Sequence, residues 1–188
     1  MVRYQVMRKV IFIILLFIEA MLPVANAKTK NLPERLPEDY NQLAFKQVGT
    51  AKFSVLFWDI YNSTLYTKSG SYLHDNSLES LLFKIEYLKD ISTVDLLKIT
   101  VKQWKHLNIA ESQYTPYISR LKSIWPDVSA GDSLTMLVKG KKSVFYFNNV
   151  KVGVIPEQEF SKIFLDIWLS PDTNQPQLRA QLLEGNKT

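Results

Sequence analysis

The sequence predicts an α+β fold, a curved antiparallel β-sheet with helices packed on one face. Two observations lead to this prediction. Segments with the alternation of β-strands occur early in the chain and again in its middle, and segments with helical periodicity follow each of these groups. The predicted order is strands, two helices, three strands and two helices. Strands and helices that occur in separate runs are typical of an antiparallel sheet covered by helices.

Residues 48–67, VGTAKFSVLFWDIYNSTLYT, provide the first β-structure. The segment is rich in Phe, Val, Ile, Tyr and Trp and contains no proline, which is the composition of a strand. We predict one long strand, or two strands joined by a bend near Asp59. Polar residues are interspersed among the aromatic ones, so this strand is either a wall of a ligand pocket or a core strand of a curved sheet. Residues 81–88 then alternate as a half-buried strand does.

The pattern changes to helical at Ser92. Ser92 and Asp95 have the spacing of a capping box, and apolar residues recur at helical spacing to about Leu107. Pro116 falls in the first turn of a second predicted helix, where proline is tolerated. The remaining predicted elements are this helix over 113–125, strands over 134–138, 143–147 and 150–155, and helices over 157–168 and 175–183.

The N-terminal segment has the features of a secretory signal peptide. A basic front precedes the apolar run Val10–Ile18, and Ala25-Asn26-Ala27 matches an A-x-A cleavage site. The run is shorter than the roughly twenty residues that span a bilayer. We therefore predict that residues 1–27 are cleaved, that 28–45 form an extended leader and that 46–185 form one domain. The expected location is the periplasm, with no stable membrane anchor after cleavage.

Composition excludes several classes of function. The formal net charge is +5, of which the predicted signal peptide carries +2, and the remaining charges form no basic stripe. We therefore expect no nucleic-acid partner. The chain has no cysteine, which excludes disulfides, a lipoprotein anchor and a thiol nucleophile. No phosphate-binding glycine loop or Gly-x-Ser-x-Gly elbow occurs, so no cofactor is predicted.

The titratable residues form no recognisable catalytic or metal-binding motif. His74 and His106 lie far apart in the sequence and lack acidic neighbours at ligand spacing, so we predict no metal site. Four aspartates flank helix starts and loops, where carboxylates usually accept hydrogen bonds from backbone amides. They are Asp90, Asp95, Asp127 and Asp132.

Four blocks of sequence carry a resemblance to bacterial chalcone isomerase-like proteins. They are VGTAKFSVLFWDIYNSTLYT at 48–67, IEYLKDISTVDLLKITVKQW at 85–104, IWPDVSAGD at 124–132 and IWLSPDTNQPQLRAQLL at 167–183. Their order and spacing cover essentially everything after residue 45. The resemblance implies an open-faced sandwich with an apolar cleft between sheet and helices. Some members of the family are flavanone-forming enzymes, and others bind fatty acids without catalysis.

The positions that match the enzymes' catalytic residues are not retained. Lys52 stands at the arginine position and Tyr61 at the threonine position, where fatty-acid-binding relatives also tend to carry tyrosine. The enzymes' helix residues Tyr, Lys and Asn correspond to Ser92, Asp95 and Ile99. An aspartate repels an anionic substrate and an isoleucine holds neither a phenolate nor a water. The resemblance therefore does not imply chalcone isomerisation, and we predict no catalytic residues.

The leading hypothesis is a periplasmic protein that binds a small hydrophobic or amphiphilic ligand, such as a fatty acid, without converting it. Lys52 and Tyr61 are expected to hold a carboxylate, and Trp58 and Trp104 to line the apolar cleft. One alternative is an isomerase or lyase that uses Lys52, Tyr61 or Asp59 as acid or base. Another is an envelope interaction module that docks a partner through its helical face or the 125–132 loop.

Overall fold

The computed structural model describes residues 34–72 and 80–184. The predicted signal peptide, the first part of the leader and His74 lie outside the described residues. A six-stranded antiparallel sheet has the strand order β1-β2-β3-β4-β5-β6, so each strand pairs with its neighbour in sequence. The strands are β1 (Lys46–Val55), β2 (Trp58–Thr67), β3 (Leu81–Tyr87), β4 (Ser133–Lys139), β5 (Lys142–Phe147) and β6 (Val150–Ile155).

Four helices complete the α+β architecture and confirm the predicted fold class. They are α1 (Thr93–His106), α2 (Glu111–Ile124), α3 (Gln158–Leu169) and α4 (Pro176–Glu184). A short 3₁₀ helix precedes β1 at Tyr40–Leu43. Among the described residues, no helix has both the length and the hydrophobicity needed to cross a membrane.

The interpretation of residues 48–67 as one long strand is wrong. The segment is a β-hairpin in which Val55 pairs with Trp58 across a two-residue turn at Leu56 and Phe57. Asp59, the expected position of a bend, lies within β2 and pairs with Ser54. The turn was not visible in the sequence because Leu56 adopts a φ of 55°, a conformation that favours glycine or asparagine.

The four helices contribute to one buried core with the inner face of the sheet. A row of paired inner positions runs across the strands and comprises Leu65, Phe83, Met136, Phe145 and Gly153. The first four side chains of this row are buried. A Cβ at Gly153 would lie only 2.4 Å from a side-chain carbon of Ile124, so the absence of a side chain allows α2 to approach β6.

The described part of the leader covers the opposite face of the sheet. Leu36, Tyr40 and Phe45 are buried there against Leu82 of β3 and Tyr146 of β5. The backbone amide of Leu36 donates to the carbonyl oxygen of Asn149 at 2.8 Å. This smaller apolar cluster leaves the space between sheet and helices as the place for a ligand.

Aspartates stabilise the loops around the start of α1, as the sequence predicts. Ser92 is the N-cap and accepts from the amide of Asp95 at 3.1 Å, and Asp127 accepts from the amide of Thr93 at 2.7 Å. Asp90 accepts from the amide of Ala130, and Asp132 from the amide of Ser129. Hydrogen bonds from Thr93 hold the pKa of Asp127 below its usual value. These carboxylates fix the loops and do not enter the core.

Candidate ligand cavity

An apolar cavity of about 120 Å³ lies between the inner face of the sheet and the helices. Strands β1, β2 and β3 form one wall, α1 and α3 form the opposite wall, and the loops after α2 and α3 close its ends. The apolar and aromatic lining includes Phe53, Ile60, Tyr61, Ile85, Tyr87, Leu96, Trp125, Leu134, Phe164 and Trp168.

Two tyrosines, the half-buried Tyr61 and the buried Tyr87, supply polar groups to this wall. The hydroxyl of Tyr61 accepts a hydrogen bond from Nε1 of Trp168 at 2.9 Å, and its ring stacks on Phe53 at a centroid distance of 5.1 Å. Burial raises the pKa of Tyr61 to about 12 and raises the pKa of Tyr87 further. Both phenols are therefore neutral at physiological pH. The proton of the Tyr61 hydroxyl remains available for donation to a bound molecule.

Trp125 supplies a hydrogen-bond donor that the protein does not satisfy. Its side chain is buried, it lines the cavity, and its Nε1 has no hydrogen-bond partner. A buried N–H without an acceptor costs about 1–3 kcal/mol, so such groups are rare in folded proteins. An acceptor oxygen on a bound molecule would remove this cost.

The cavity reaches the surface between α1 and the segment that precedes α4. Ile99 and Asn174 are exposed, and Gln103 and Gln175 are half-buried at the same opening. Among the described residues, no Lys, Arg, His, Asp or Glu lines the cavity. The mouth therefore offers neutral amide groups to the polar end of a guest, and the interior offers apolar surface.

The structure does not bring the predicted site residues together. Tyr61 lines the cavity, whereas Lys52 lies on the opposite face of the hairpin. Phe53 pairs with Tyr61 and Lys52 pairs with Asn62, and successive residues of a strand point to opposite faces. The Lys52 ammonium instead donates to the carboxylate of Asp59 at 2.9 Å on the exposed surface.

The two predicted tryptophans also lie outside the cavity lining. Trp58 is exposed at the end of the hairpin, where Nζ of Lys89 lies 4.4 Å from its ring centroid. Trp104 is fully buried in α1; its Nε1 donates to the carbonyl oxygen of Ile163 at 2.8 Å and its ring stacks on Tyr114. Trp104 therefore holds helices together, and Trp125 and Trp168 line the cavity.

The arrangement also bears on acid–base chemistry. The carboxylate of Asp59 accepts from Ser54 at 2.6 Å and from Lys52, and these hydrogen bonds hold the pKa of Asp59 below its usual value. This ion pair faces away from Tyr61, so the three groups expected to serve an isomerase or lyase cannot act on one substrate. Among the described residues, no group of three acidic or histidine side chains is arranged to hold a metal ion.

Several cavity residues were not identified from the sequence. Phe53, Ile60 and Tyr87 belong to strand segments whose residues alternate between the two faces of the sheet. Once the hairpin register is known, pairing with Tyr61 places Phe53 and Tyr87 on the same face as Tyr61. Trp125 ends the second helix and read as an ordinary core residue. No sequence signal marks its unpaired Nε1.

Comparison with known proteins agrees with this architecture. The crystal structure of an Arabidopsis thaliana fatty-acid binding protein matches with a TM-score of 0.58 at 11% identity, over 81% of this chain and 90% of that chain, which shows a common fold. An uncharacterized protein of Haemophilus influenzae is 21% identical over 144 residues, which cover 77% of this chain and 70% of the relative. The family model described as chalcone isomerase-like matches residues 25–184. The chain therefore belongs to the chalcone isomerase-like family, as the four sequence blocks predict.

Proposed function

We propose that the protein binds a small amphiphilic molecule, such as a short- or medium-chain fatty acid, in the cavity and releases it unchanged. The observation that carries this proposal is an apolar cavity that opens to solvent and whose lining includes Trp125, a residue with an unpaired Nε1. An apolar cavity with few polar groups is the usual form of a small-molecule site. The structural similarity to a fatty-acid binding protein supports the same class of ligand.

The size of the cavity limits the apolar part of the ligand. An engineered apolar cavity of about 150 Å³ holds one benzene molecule, and this cavity measures about 120 Å³. The interior therefore accommodates roughly six carbon atoms without rearrangement. A longer acyl chain has to extend through the mouth beside Ile99, or the lining side chains have to move.

The lining also predicts how the polar end is recognised. Tyr61 can donate a hydrogen bond from inside, and the amides of Gln103, Asn174 and Gln175 stand at the mouth. Trp125 lines the same cavity, and its Nε1 has no partner. Because the part of the chain that the structure describes contributes no cationic side chain to the lining, a carboxylate gains little over a hydroxyl. We expect octanol and octanoate to bind with affinities within a few-fold of each other.

Binding without conversion is supported by the state of the polar groups. The phenols of Tyr61 and Tyr87 are held neutral by burial, so neither serves as a base near neutral pH. The ion pair of Lys52 and Asp59 lies on the other face of the hairpin. The cavity thus provides donors for a guest and no group to remove its protons.

The test is a titration of delipidated protein with linear carboxylates from butanoate to hexadecanoate, followed by tryptophan fluorescence. Trp125 and Trp168 line the cavity and report occupancy. We expect saturable changes with tightest binding at short or medium chain length, and weaker binding by Trp125→Phe. Lys52→Ala is the matched control at the position favoured by sequence alone, and should leave affinity unchanged within about twofold because its ammonium is exposed and paired.

Two results would contradict the proposal. Absence of a saturable response across the whole series would show that the cavity does not take acyl chains. A large loss of affinity in Lys52→Ala together with unchanged affinity in Trp125→Phe would place the ligand on the outer face of the hairpin.

We also propose that the protein is exported and that residues 1–27 are removed. The basic front, the apolar run and the Ala25-Asn26-Ala27 site support this, and the family match begins only at residue 25. Mass spectrometry of protein recovered from the periplasmic fraction should give an N-terminus at Lys28. Recovery of the intact chain from the cytoplasm would refute export.

A further inference from the structure

We propose that the protein docks reversibly on the surface of an anionic lipid bilayer, with the tip of the β1–β2 hairpin inserted among the headgroups. The hairpin tip consists of Val55, Leu56, Phe57 and Trp58. This surface lies outside the cavity, and docking does not require that the cavity hold a ligand. Vesicle binding and ligand titration therefore test the two proposals separately.

The hairpin tip exposes a continuous run of large apolar side chains. Val55 is 48% exposed, Leu56 88%, Phe57 97% and Trp58 61%. Leu56 also occupies a positive φ that glycine would adopt without strain. The four side chains of the hairpin tip therefore contribute little to packing. Leucine is also an unfavourable residue at this position of the turn.

Other exposed apolar residues lie around the same end of the molecule. The described residues expose seven large hydrophobic side chains. Four of them form the hairpin tip, and two others, Val94 and Ile99, lie in the first two turns of α1. Ile99 lies at the cavity mouth, and Phe53 and Ile60, which flank the tip on β1 and β2, line the same cavity. The hairpin and the start of α1 therefore line one cavity and its opening.

Charges around this opening favour an anionic surface. Lys98, Lys102 and Lys105 are exposed on α1 at spacings of four and three residues, which places them on one face of the helix. Lys89 lies over the ring of Trp58 at the hairpin tip. Tryptophan and lysine together are typical of the boundary between lipid and water.

The nearby acids are already engaged within the protein. Asp59 accepts from Lys52 and Ser54, Asp90 from the amide of Ala130, and Asp95 from Ser92. The lysines of α1 have no such partner among the hydrogen bonds and ion pairs of the described residues. Lys52 neutralises Asp59, and the four lysines Lys89, Lys98, Lys102 and Lys105 outnumber the three aspartates Asp90, Asp95 and Asp127 by one. The net charge beside the tip is therefore positive, and it attracts anionic headgroups.

The shape of the tip favours lipid over a protein partner. Four residues at the end of a two-stranded hairpin expose on the order of 500 Å², less than the roughly 800 Å² that each partner contributes to a standard protein interface. A narrow apolar projection needs no complementary surface to insert among lipid headgroups. A bound bilayer would also place the cavity mouth next to a source of amphiphilic molecules.

The experiment measures flotation of the protein with vesicles of phosphatidylcholine alone and of an equal mixture with phosphatidylglycerol. The protein is expressed from the complete sequence and recovered after export. All variants share the same N-terminus, so any contribution of residues 1–33 to vesicle binding is the same in each variant and does not affect the comparison. Leu56→Gly combined with Phe57→Ser removes the apolar tip and provides residues suited to the turn. We expect this double variant to bind the mixed vesicles at least tenfold more weakly than the natural chain.

Control variants separate the contributions. Val152→Thr removes exposed apolar surface from β6, at the opposite edge of the sheet, and should leave binding unchanged. Lys98→Gln combined with Lys102→Gln should weaken binding to the mixed vesicles by up to about thirtyfold and reduce the preference for anionic lipid. Phe57→Trp keeps an apolar tip, so it should bind as well as the natural chain, and brominated lipid should quench the added indole.

Three outcomes would overturn the proposal. One is equal vesicle binding by the natural chain and the Leu56→Gly, Phe57→Ser variant. The second is failure of brominated lipid to quench the tryptophan fluorescence of either Phe57→Trp or the natural chain, whose Trp58 also belongs to the tip; this outcome remains decisive if the double variant is poorly folded. The third is a concentration-dependent dimer that the double variant abolishes while vesicle binding is absent, which would assign the hairpin tip to a second copy of this chain.

Discussion

Replacement of Ile85 by phenylalanine tests whether the cavity is real empty space. Ile85 lines the cavity from β3 and is 6% exposed. A phenylalanine side chain has three more carbons than isoleucine, and burial of each contributes about 0.8 kcal/mol. The whole cavity of about 120 Å³ corresponds to about 3 kcal/mol at 24 cal/mol per Å³. We therefore expect Ile85→Phe to raise the free energy of unfolding by about 2 kcal/mol.

The same substitution removes room for a ligand. Loss of space for about three carbons weakens binding of a medium-chain carboxylate by about 2 kcal/mol, which is about thirtyfold. Urea denaturation measures the first effect, and fluorescence titration with octanoate measures the second. Stability and affinity should therefore change in opposite directions.

Ile163→Phe is the matched control. Ile163 lies on α3, is 7% exposed and packs in the core outside the cavity lining. Extra carbons in a filled core cost about 1–3 kcal/mol, so this variant should be less stable and should bind octanoate normally. If Ile85→Phe were destabilised as much as Ile163→Phe, with affinity unchanged, the interior would be filled and the argument for a cavity would fail.

Three further predictions concern other parts of the structure. Trp104→Phe loses the hydrogen bond that its Nε1 donates, so it should be less stable than Trp125→Phe by about 1–2 kcal/mol in urea denaturation, and equal losses would contradict the unpaired state of Trp125. Burial raises the pKa values of Tyr61 and Tyr87, so the stability that these residues contribute is present below pH 10, the usual pKa of tyrosine, and is lost as pH rises through about 12, the pKa of folded Tyr61. Tyr61→Phe should lose less stability over this pH range than the natural chain, as measured by melting curves. Leu56→Gly should raise the free energy of unfolding by about 1 kcal/mol, because a left-handed φ strains leucine, and a lower value would refute that strain.

The order and type of the regular elements follow from local pattern. The four helices begin and end within two residues of their predicted bounds, because Ser92, Pro126 and Pro156 mark their limits and apolar residues recur at helical spacing. For residues 48–67, two strands joined by a bend were one of the two predicted alternatives, but the position of the turn could not be predicted because it contains leucine and phenylalanine in place of the usual turn residues.

The site was less predictable because it depends on which face each strand residue occupies. The family resemblance predicts that Lys52 and Tyr61 hold one carboxylate together, but the hairpin register places them on opposite faces. A shift of pairing by one residue exchanges the faces of a strand, and a bulge lies between Phe53 and Ser54. Trp104 and Trp125 likewise look equivalent in sequence, but only Trp104 has an acceptor for its Nε1 and only Trp125 lines the cavity.

Three locally unfavourable features lie in this one part of the molecule. They are an unfilled cavity, the unpaired Nε1 of the Trp125 that lines it, and Leu56 at a positive φ beyond the strands that form its wall. Elsewhere in the described chain the inner row of the sheet is filled and the loop aspartates are paired. Features that are locally unfavourable for folding tend to cluster at functional sites, because selection for function retains residues that selection for stability alone would replace. If Ile85→Phe and Leu56→Gly both stabilise the protein and respectively weaken octanoate and vesicle binding, the two ends of this region serve two separable functions.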